Sequence, residues 1–107
     1  MEKSEKLAVQ LYLDFNFNLN LEHKTVLSPK ELYERVFDDI KKIMNNADIA
    51  DKNKPLRTYY RELTYLLNQT YYRSDLYLIL SEAERTFRDI INETFSNNAI
   101  KYILKGN

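Results

Sequence analysis

Residues 28–46, Ser-Pro-Lys-Glu-Leu-Tyr-Glu-Arg-Val-Phe-Asp-Asp-Ile-Lys-Lys-Ile-Met-Asn-Asn, carry a complete set of helix signals. Ser28 can accept from the N–H of Glu31 while the Glu31 carboxylate reaches back to the N–H of Ser28, a capping box. Pro29 occupies the first helical position, where a missing N–H costs nothing and the fixed φ suits the helix. Leu27 and Leu32 are spaced to close a hydrophobic staple. Leu32, Tyr33, Val36, Phe37, Ile40, Ile43 and Met44 fall on one face, and Glu34, Arg35, Asp38, Asp39, Lys41 and Lys42 on the other. Acid comes early and base late, as the helix dipole prefers, and Asn45-Asn46 supplies a stop. A stripe this wide cannot remain in water, so the rest of the chain must cover it.

The remaining segments must supply that cover. Leu7, Ala8, Leu11 and Phe15 have helical spacing, which predicts a first helix from Ser4 to about residue 15. From Leu11 to Leu21 apolar residues also alternate with polar ones, a strand signal, although a lone strand would have no partner for its edge. The expectation is a helix followed by an extended or irregular connection over residues 16–22, with a strand as the rival. A polar loop over residues 47–54, anchored by Ile49, leads to a third helix opened by Pro55. Its stripe is Leu56, Tyr59, Tyr60, Leu63, Leu66, Leu67, Thr70 and Tyr71, and it runs to about Tyr72. Arg73-Ser74-Asp75 breaks it, and the apolar run of residues 76–80 reads as a buried connection or a last turn of the third helix. Ser81 and Glu84 form a second capping box, starting a fourth helix with Ala83, Phe87, Ile90, Ile91 and Thr94 or Phe95 inward and Asn97-Asn98 as its end. Ile100, Ile103 and Leu104 dock the tail, with Lys101 and Lys105 outward.

One domain over residues 1–107 is expected, since the length supports a single modest core. With one glycine and two prolines the chain lacks the turn residues of a sheet protein. The expected fold is therefore all-α, an antiparallel four-helix bundle with a short C-terminal tail packed on it.

Composition excludes several chemistries. Without cysteine there are no disulfides, thiolate metal sites or cysteine nucleophiles. His23, the single histidine, lies in a polar loop with no nucleophile motif nearby, and the solvated reading is preferred to a catalytic one. Asp48 and Asp51 lack the rest of a calcium loop, and Asp38-Asp39 read as a solvated helix face. The one glycine, at position 106, permits no phosphate-binding loop. No cofactor, no metal and no enzymatic activity are expected. Sixteen basic and sixteen acidic residues cancel, which argues against a nucleic-acid partner. A helix-turn-helix reading of the third and fourth helices also fails, because Glu82 and Glu84 would meet phosphate. The N-terminal stretch is no signal peptide and no run spans a bilayer, so a cytoplasmic protein is expected.

Tyrosine is the unusual component, nine residues with no tryptophan. Tyr59, Tyr60, Tyr65, Tyr71, Tyr72 and Tyr77 fall within the third helix and its exit. Some must line the core with hydroxyls reaching water. Others, especially Tyr65, Tyr72 and Tyr77 beside Arg73, form a candidate recognition patch, since Tyr and Arg are favoured binding anchors. Arg57, Arg61 and Arg85 read as ordinary surface charges.

Leu11-Tyr12-Leu13-Asp14-Phe15-Asn16-Phe17-Asn18 resembles the Leu-Tyr-x-Asp-Ile-Ser-Ile-Ser stretch that closes the first helix in the enterocin A immunity protein family, the self-protection proteins for pediocin-like bacteriocins. The order of parts is similar as well: a middle helix, a loop leading to Pro55-Leu56, an aromatic third helix ending near Tyr71-Tyr72, and a polar-capped fourth helix from Ser81. The resemblance spans roughly residues 9–95 and rests on short motifs. It implies a cytoplasmic antiparallel four-helix bundle that engages the bacteriocin-bound mannose phosphotransferase membrane component and blocks leakage, touching the membrane only through that partner. It also implies that specificity lies in the C-terminal half. Expected exposure and location there single out Tyr72, Arg73, Asp75, Tyr77, Lys101, Tyr102 and Lys105 as partner-binding candidates. The alternative is a self-associating or adaptor bundle acting through a protein–protein interface.

Overall fold

The computed structural model describes residues 3–22, 28–95 and 103–104, with the backbone alone for residues 15–22 and 75. Four helices follow one another: α1 (Lys3–Glu22), α2 (Pro29–Met44), α3 (Asn53–Gln69) and α4 (Ser74–Thr94). The described residues include no strand. The helices share one core, in which Leu11, Ile43, Leu63, Leu76, Phe87 and Ile91 are fully or almost fully buried.

In α2 the caps behave nearly as the sequence demands. Ser28 Oγ accepts the Glu31 N–H at 3.2 Å, and the Ser28 hydroxyl, instead of its backbone N–H, donates to Glu31 Oε1 at 3.1 Å. The Asn45 N–H closes the C-terminus onto the carbonyls of Lys41 and Ile43. Leu27 of the expected staple lies outside the described residues.

The first helix corrects the expected connection over residues 16–22, because α1 is helical to Glu22. Side chains upstream show which period wins. Leu11 is buried, whereas Leu13, which alternation would place beside it, is 48% exposed. A lone strand would leave its ladder groups unpaired, while continued helix satisfies them internally. Ser4, Ala8 and Leu11 form the buried stripe.

The α3–α4 boundary differs from the expectation more widely. α3 starts two residues before Pro55 and ends at Gln69, where the Thr70 N–H reaches the carbonyls of Leu66 and Leu67. Residues 76–80 are not a buried connection. They belong to α4, which begins at Ser74, so Ser81 lies inside a helix and caps nothing. Leu76, Ile79, Leu80, Ala83, Phe87, Ile90 and Ile91 are one continuous buried stripe at helical spacing, and Leu78 points away with 65% exposure. Tyr71, expected on the inner stripe of α3, is 67% exposed because the helix has already ended. α4 stops at Thr94, short of Asn97-Asn98, which lie outside the described residues. Thr94 is exposed, and Phe95 packs against the core. Ile103 is fully buried and Leu104 packs beside it, so this part of the tail docks.

α1 packs chiefly against α3, α3 against α4, and α4 against α2, while α2 and α3 touch least. The chain therefore passes from α2 to α3 across the core and not to a direct neighbour. The connecting residues are pinned locally: Asn46 Oδ1 accepts the Asp48 N–H at 3.0 Å, Asp51 Oδ1 accepts the Asn53 N–H at 2.9 Å, and the Lys52 ammonium donates to the Asn46 carbonyl.

Phe87 sits where these packings meet, with ring centroids 5.7 Å from Tyr59 and 5.3 Å from Tyr60. Phe87→Ala should cost about 3–5 kcal/mol through the lost burial and the cavity left behind. Leu78→Ala should stay within about 0.5 kcal/mol, as for ordinary surface positions. Urea unfolding of both variants checks the register of α4, because a buried connection over residues 76–80 would make Leu78 costly too.

Candidate functional site

Two polar and aromatic constellations stand out, one inside the core and one at the surface. The inner one centres on Asp39, which the sequence assigns to a solvated face and the structure buries completely. Its place in the helix explains this: Leu32, Val36, Asp39 and Ile43 are spaced four, three and four residues apart, along the seam α2 presents to the core. The Tyr59 hydroxyl donates to Asp39 Oδ2 at 2.7 Å. Arg35 Nε lies 3.5 Å from Asp39 Oδ1, an electrostatic contact that leaves that oxygen without a hydrogen bond among the described residues. Arg35 Nη1 in turn donates to Asp14 Oδ2 at 2.6 Å, and Gln10 Nε2 donates to Asp14 Oδ1 at 2.7 Å.

Burial pushes the Asp39 carboxyl above its ordinary range, with the Tyr59 hydrogen bond and the Arg35 charge opposing it. Burial, and then the neighbouring Asp39 charge, hold the Tyr59 phenol well above its usual value, so it remains a donor. Burial pulls the Arg35 guanidinium down, but the hydrogen bond it donates to Asp14 and the charge of Asp39 outweigh it. Asp39 and Tyr59 are closed to solvent, and the arrangement ties α1, α2 and α3 together instead of meeting a substrate.

The outer constellation is a knuckle of tyrosines between α3 and α4. Thr70 anchors it: its side chain is buried, with the hydroxyl donating to the Leu67 carbonyl at 3.0 Å. The Arg73 N–H donates to the Thr70 carbonyl at 2.8 Å, and the Tyr77 N–H donates to the Arg73 carbonyl at 2.8 Å, so α4 starts immediately after a tight turn. With Thr70 held inward, Tyr71 and Tyr72 are turned out. Their rings meet edge to face at 5.2 Å, and Tyr71 meets Tyr77 edge to face at 6.1 Å. Tyr72 is 94% exposed, while Tyr77 is half-buried against the core.

Among the sequence-derived candidates, Tyr72, Arg73 and Tyr77 thus come together here. The Asp75 side chain, Lys101, Tyr102 and Lys105 lie outside the described side chains. So does His23. Tyr65 is exposed on α3. Tyr71 joins this surface beyond the expectation because α3 ends at Gln69, and Leu78 is exposed separately because α4 begins at Ser74. The phase of the apolar positions, continuous from Leu76 to Ile91, is the sequence signal for Leu78; no comparable signal marks Tyr71. A second aromatic pair, Tyr33 and Phe37 on α2, stacks at 6.1 Å with the Lys41 ammonium 5.5 Å from the Phe37 ring.

The knuckle suits association more than chemistry. Tyrosine offers a large rigid surface with few rotors to freeze, and its hydroxyl keeps that surface wettable when unbound. Among the described residues no three His, Cys, Asp or Glu side chains are grouped to hold a metal ion, and no helix is long and apolar enough to cross a membrane. No protein-family model matches the sequence, no curated protein matches it, and no solved structure matches it.

The buried carboxyl has a pH signature. A group whose folded pKa is raised binds more protons in the folded than in the unfolded state across that window, so its contribution is fully present below the unfolded pKa and is lost as pH rises through the folded one. The stability of the wild type relative to Asp39→Asn should therefore fall as pH rises above the ordinary aspartate range, which denaturant titration at several pH values measures. Tyr59→Phe should cost about 1–3 kcal/mol at neutral pH by removing the donor from a buried carboxylate.

Proposed function

We propose that the chain is an immunity protein of the enterocin A type, an antiparallel four-helix bundle that works in the cytoplasm by stoichiometric binding and without catalysis or cofactor. Its partner is the bacteriocin-bound mannose phosphotransferase membrane component, and contact with the membrane runs through that partner.

The observation that carries this reading is the knuckle of Tyr71, Tyr72 and Tyr77, exposed at Tyr71 and Tyr72, held on a tight turn in the C-terminal half. Rigid aromatic groups at such a site lower the entropy lost on association. The all-helical fold is also compatible with the resemblance. In the stretch that carries it, Asp14 has a structural task, bridging to Arg35. The proposed contact surface comprises Tyr72, Arg73, Asp75 and Tyr77, extended by Lys101, Tyr102 and Lys105 from the tail.

The test expresses the chain in a sensitive strain and measures inhibitory concentrations for a panel of pediocin-like bacteriocins. At least a tenfold rise for one or two peptides is expected. Tyr72→Ala should remove much of that protection with no change in Tm, because its ring is almost wholly in solvent and an aromatic anchor is worth about 2 kcal/mol or more in an interface. If no peptide is resisted although the protein is folded and abundant, the immunity reading fails. A size that grows with concentration would then favour the self-associating alternative.

A further inference from the structure

A second site lies where the start of α1, the end of α2 and the start of α3 converge. A cavity of about 490 Å³ opens there, within the range of small-molecule pockets and far larger than one water needs. Ile43 and Pro55, both buried, give it an apolar wall. Ser4 also lines it, and its hydroxyl is completely buried without a hydrogen-bond partner among the described residues. An orphaned buried hydroxyl is costly, and such groups in native proteins are normally satisfied.

The charges around the cavity add an independent argument. Lys3 and Lys54 bring two ammonium groups, and Asp48 and Asp51 two carboxylates. No ion pair among the described residues joins any of the four; the described pairs lie elsewhere, at Arg35, Arg85 and Arg88. At the start of α3 the donors are nearly used up. Asp51 takes the Asn53 N–H, Pro55 has none, and the Leu56 N–H reaches the Lys52 carbonyl. The Lys54 N–H is left without an acceptor among the described residues, beside its own side-chain charge. A simple anion would satisfy these donors while facing two carboxylates, and a simple cation would do the reverse. A molecule carrying both signs meets complementary charge on each side.

We infer that this cavity binds a small zwitterion with an aliphatic body, an α-amino acid or a short peptide. Its carboxylate is taken by Lys54 and the Ser4 hydroxyl, its ammonium by Asp48, and its side chain by Ile43 and Pro55. The site is separate from the tyrosine knuckle and shares no residue with it.

The test follows backbone amide NMR of the isotope-labelled full chain during titration with four probes: leucine, leucyl-leucine, isovalerate with the carboxylate alone, and isoamylamine with the ammonium alone. Saturable shifts at Ser4, Asp48 and Lys54 are expected for one zwitterion or both, and which of the two saturates first tells free amino acid from peptide. The single-charge probes should bind at least tenfold more weakly. Ser4→Ala breaks no described hydrogen bond, so the fold should survive while affinity for the zwitterion falls about five- to tenfold. The inference is overturned if neither zwitterion saturates by about 10 mM, an affinity too weak to count as a site. It is equally overturned if isovalerate binds as tightly as leucine, or if Ser4→Ala binds the zwitterion as well as the wild type does.

Discussion

A carboxylate in the middle of an apolar seam is the constraint around which this fold is arranged. Asp39 occupies a core position of α2, and a buried charge without partners would be intolerable. Tyr59 of α3 supplies the hydrogen bond, Arg35 supplies the opposing charge, and Asp14 of α1 holds Arg35 in place. Tyr59 in turn stacks on Phe87 of α4, so one chain of contacts visits all four helices. Aliphatic side chains specify register through shape alone, whereas a buried carboxylate specifies it through named partners as well. A slide by one turn here would strand the carboxylate, and breaking a buried pair costs about 3–5 kcal/mol. The polar contacts thereby reinforce the register that the leucines and isoleucines specify by shape.

A second polar tie lies nearer the surface and is of a different kind. The Tyr60 hydroxyl donates to Glu84 Oε1 at 3.1 Å, joining α3 to α4, with Arg88 3.5 Å from the same oxygen. Burial and the Glu84 charge raise the Tyr60 phenol, keeping it protonated. Adjacent tyrosines thus point to different neighbours: Tyr59 serves the centre and Tyr60 the margin, while Phe87 packs against both rings.

How much of this could be read from residues alone depended on where the information lies. The limits of α2 were legible almost to the residue, because Ser28, Pro29 and Glu31 mark its start locally, but its inner face is narrower than expected: Tyr33 and Phe37 are exposed and Asp39 takes a place on the seam. The α3–α4 junction was not legible. Residues 76–80 are so apolar that they looked buried on every side, and the Ser81–Glu84 pattern offered a false start inside a helix. Asp39 was hidden for another reason. Its spacing with Val36 and Ile43 placed it on the seam, its chemistry argued for solvent, and only Tyr59, twenty residues further on, reconciles the two. Of the surface site, the presence of tyrosines near Arg73 was legible. The edge-to-face cluster was not, since it depends on Thr70 ending α3 before Tyr71.

The passage of the chain from α2 to α3 across the core has a consequence for how the protein is made. The main partner of α1 is α3, and the main partner of α2 is α4. Emerging from a ribosome, the first two helices therefore have little to pack against each other. α1 waits for synthesis to reach Gln69, and α2 waits for Thr94. Helices of this length hold together poorly in water without a packed face, so a half-made chain carries its amphipathic stripes uncovered. Folding becomes a closing event that depends on α4, and a chain arrested before it is a candidate for chaperone capture and not a smaller version of the same protein.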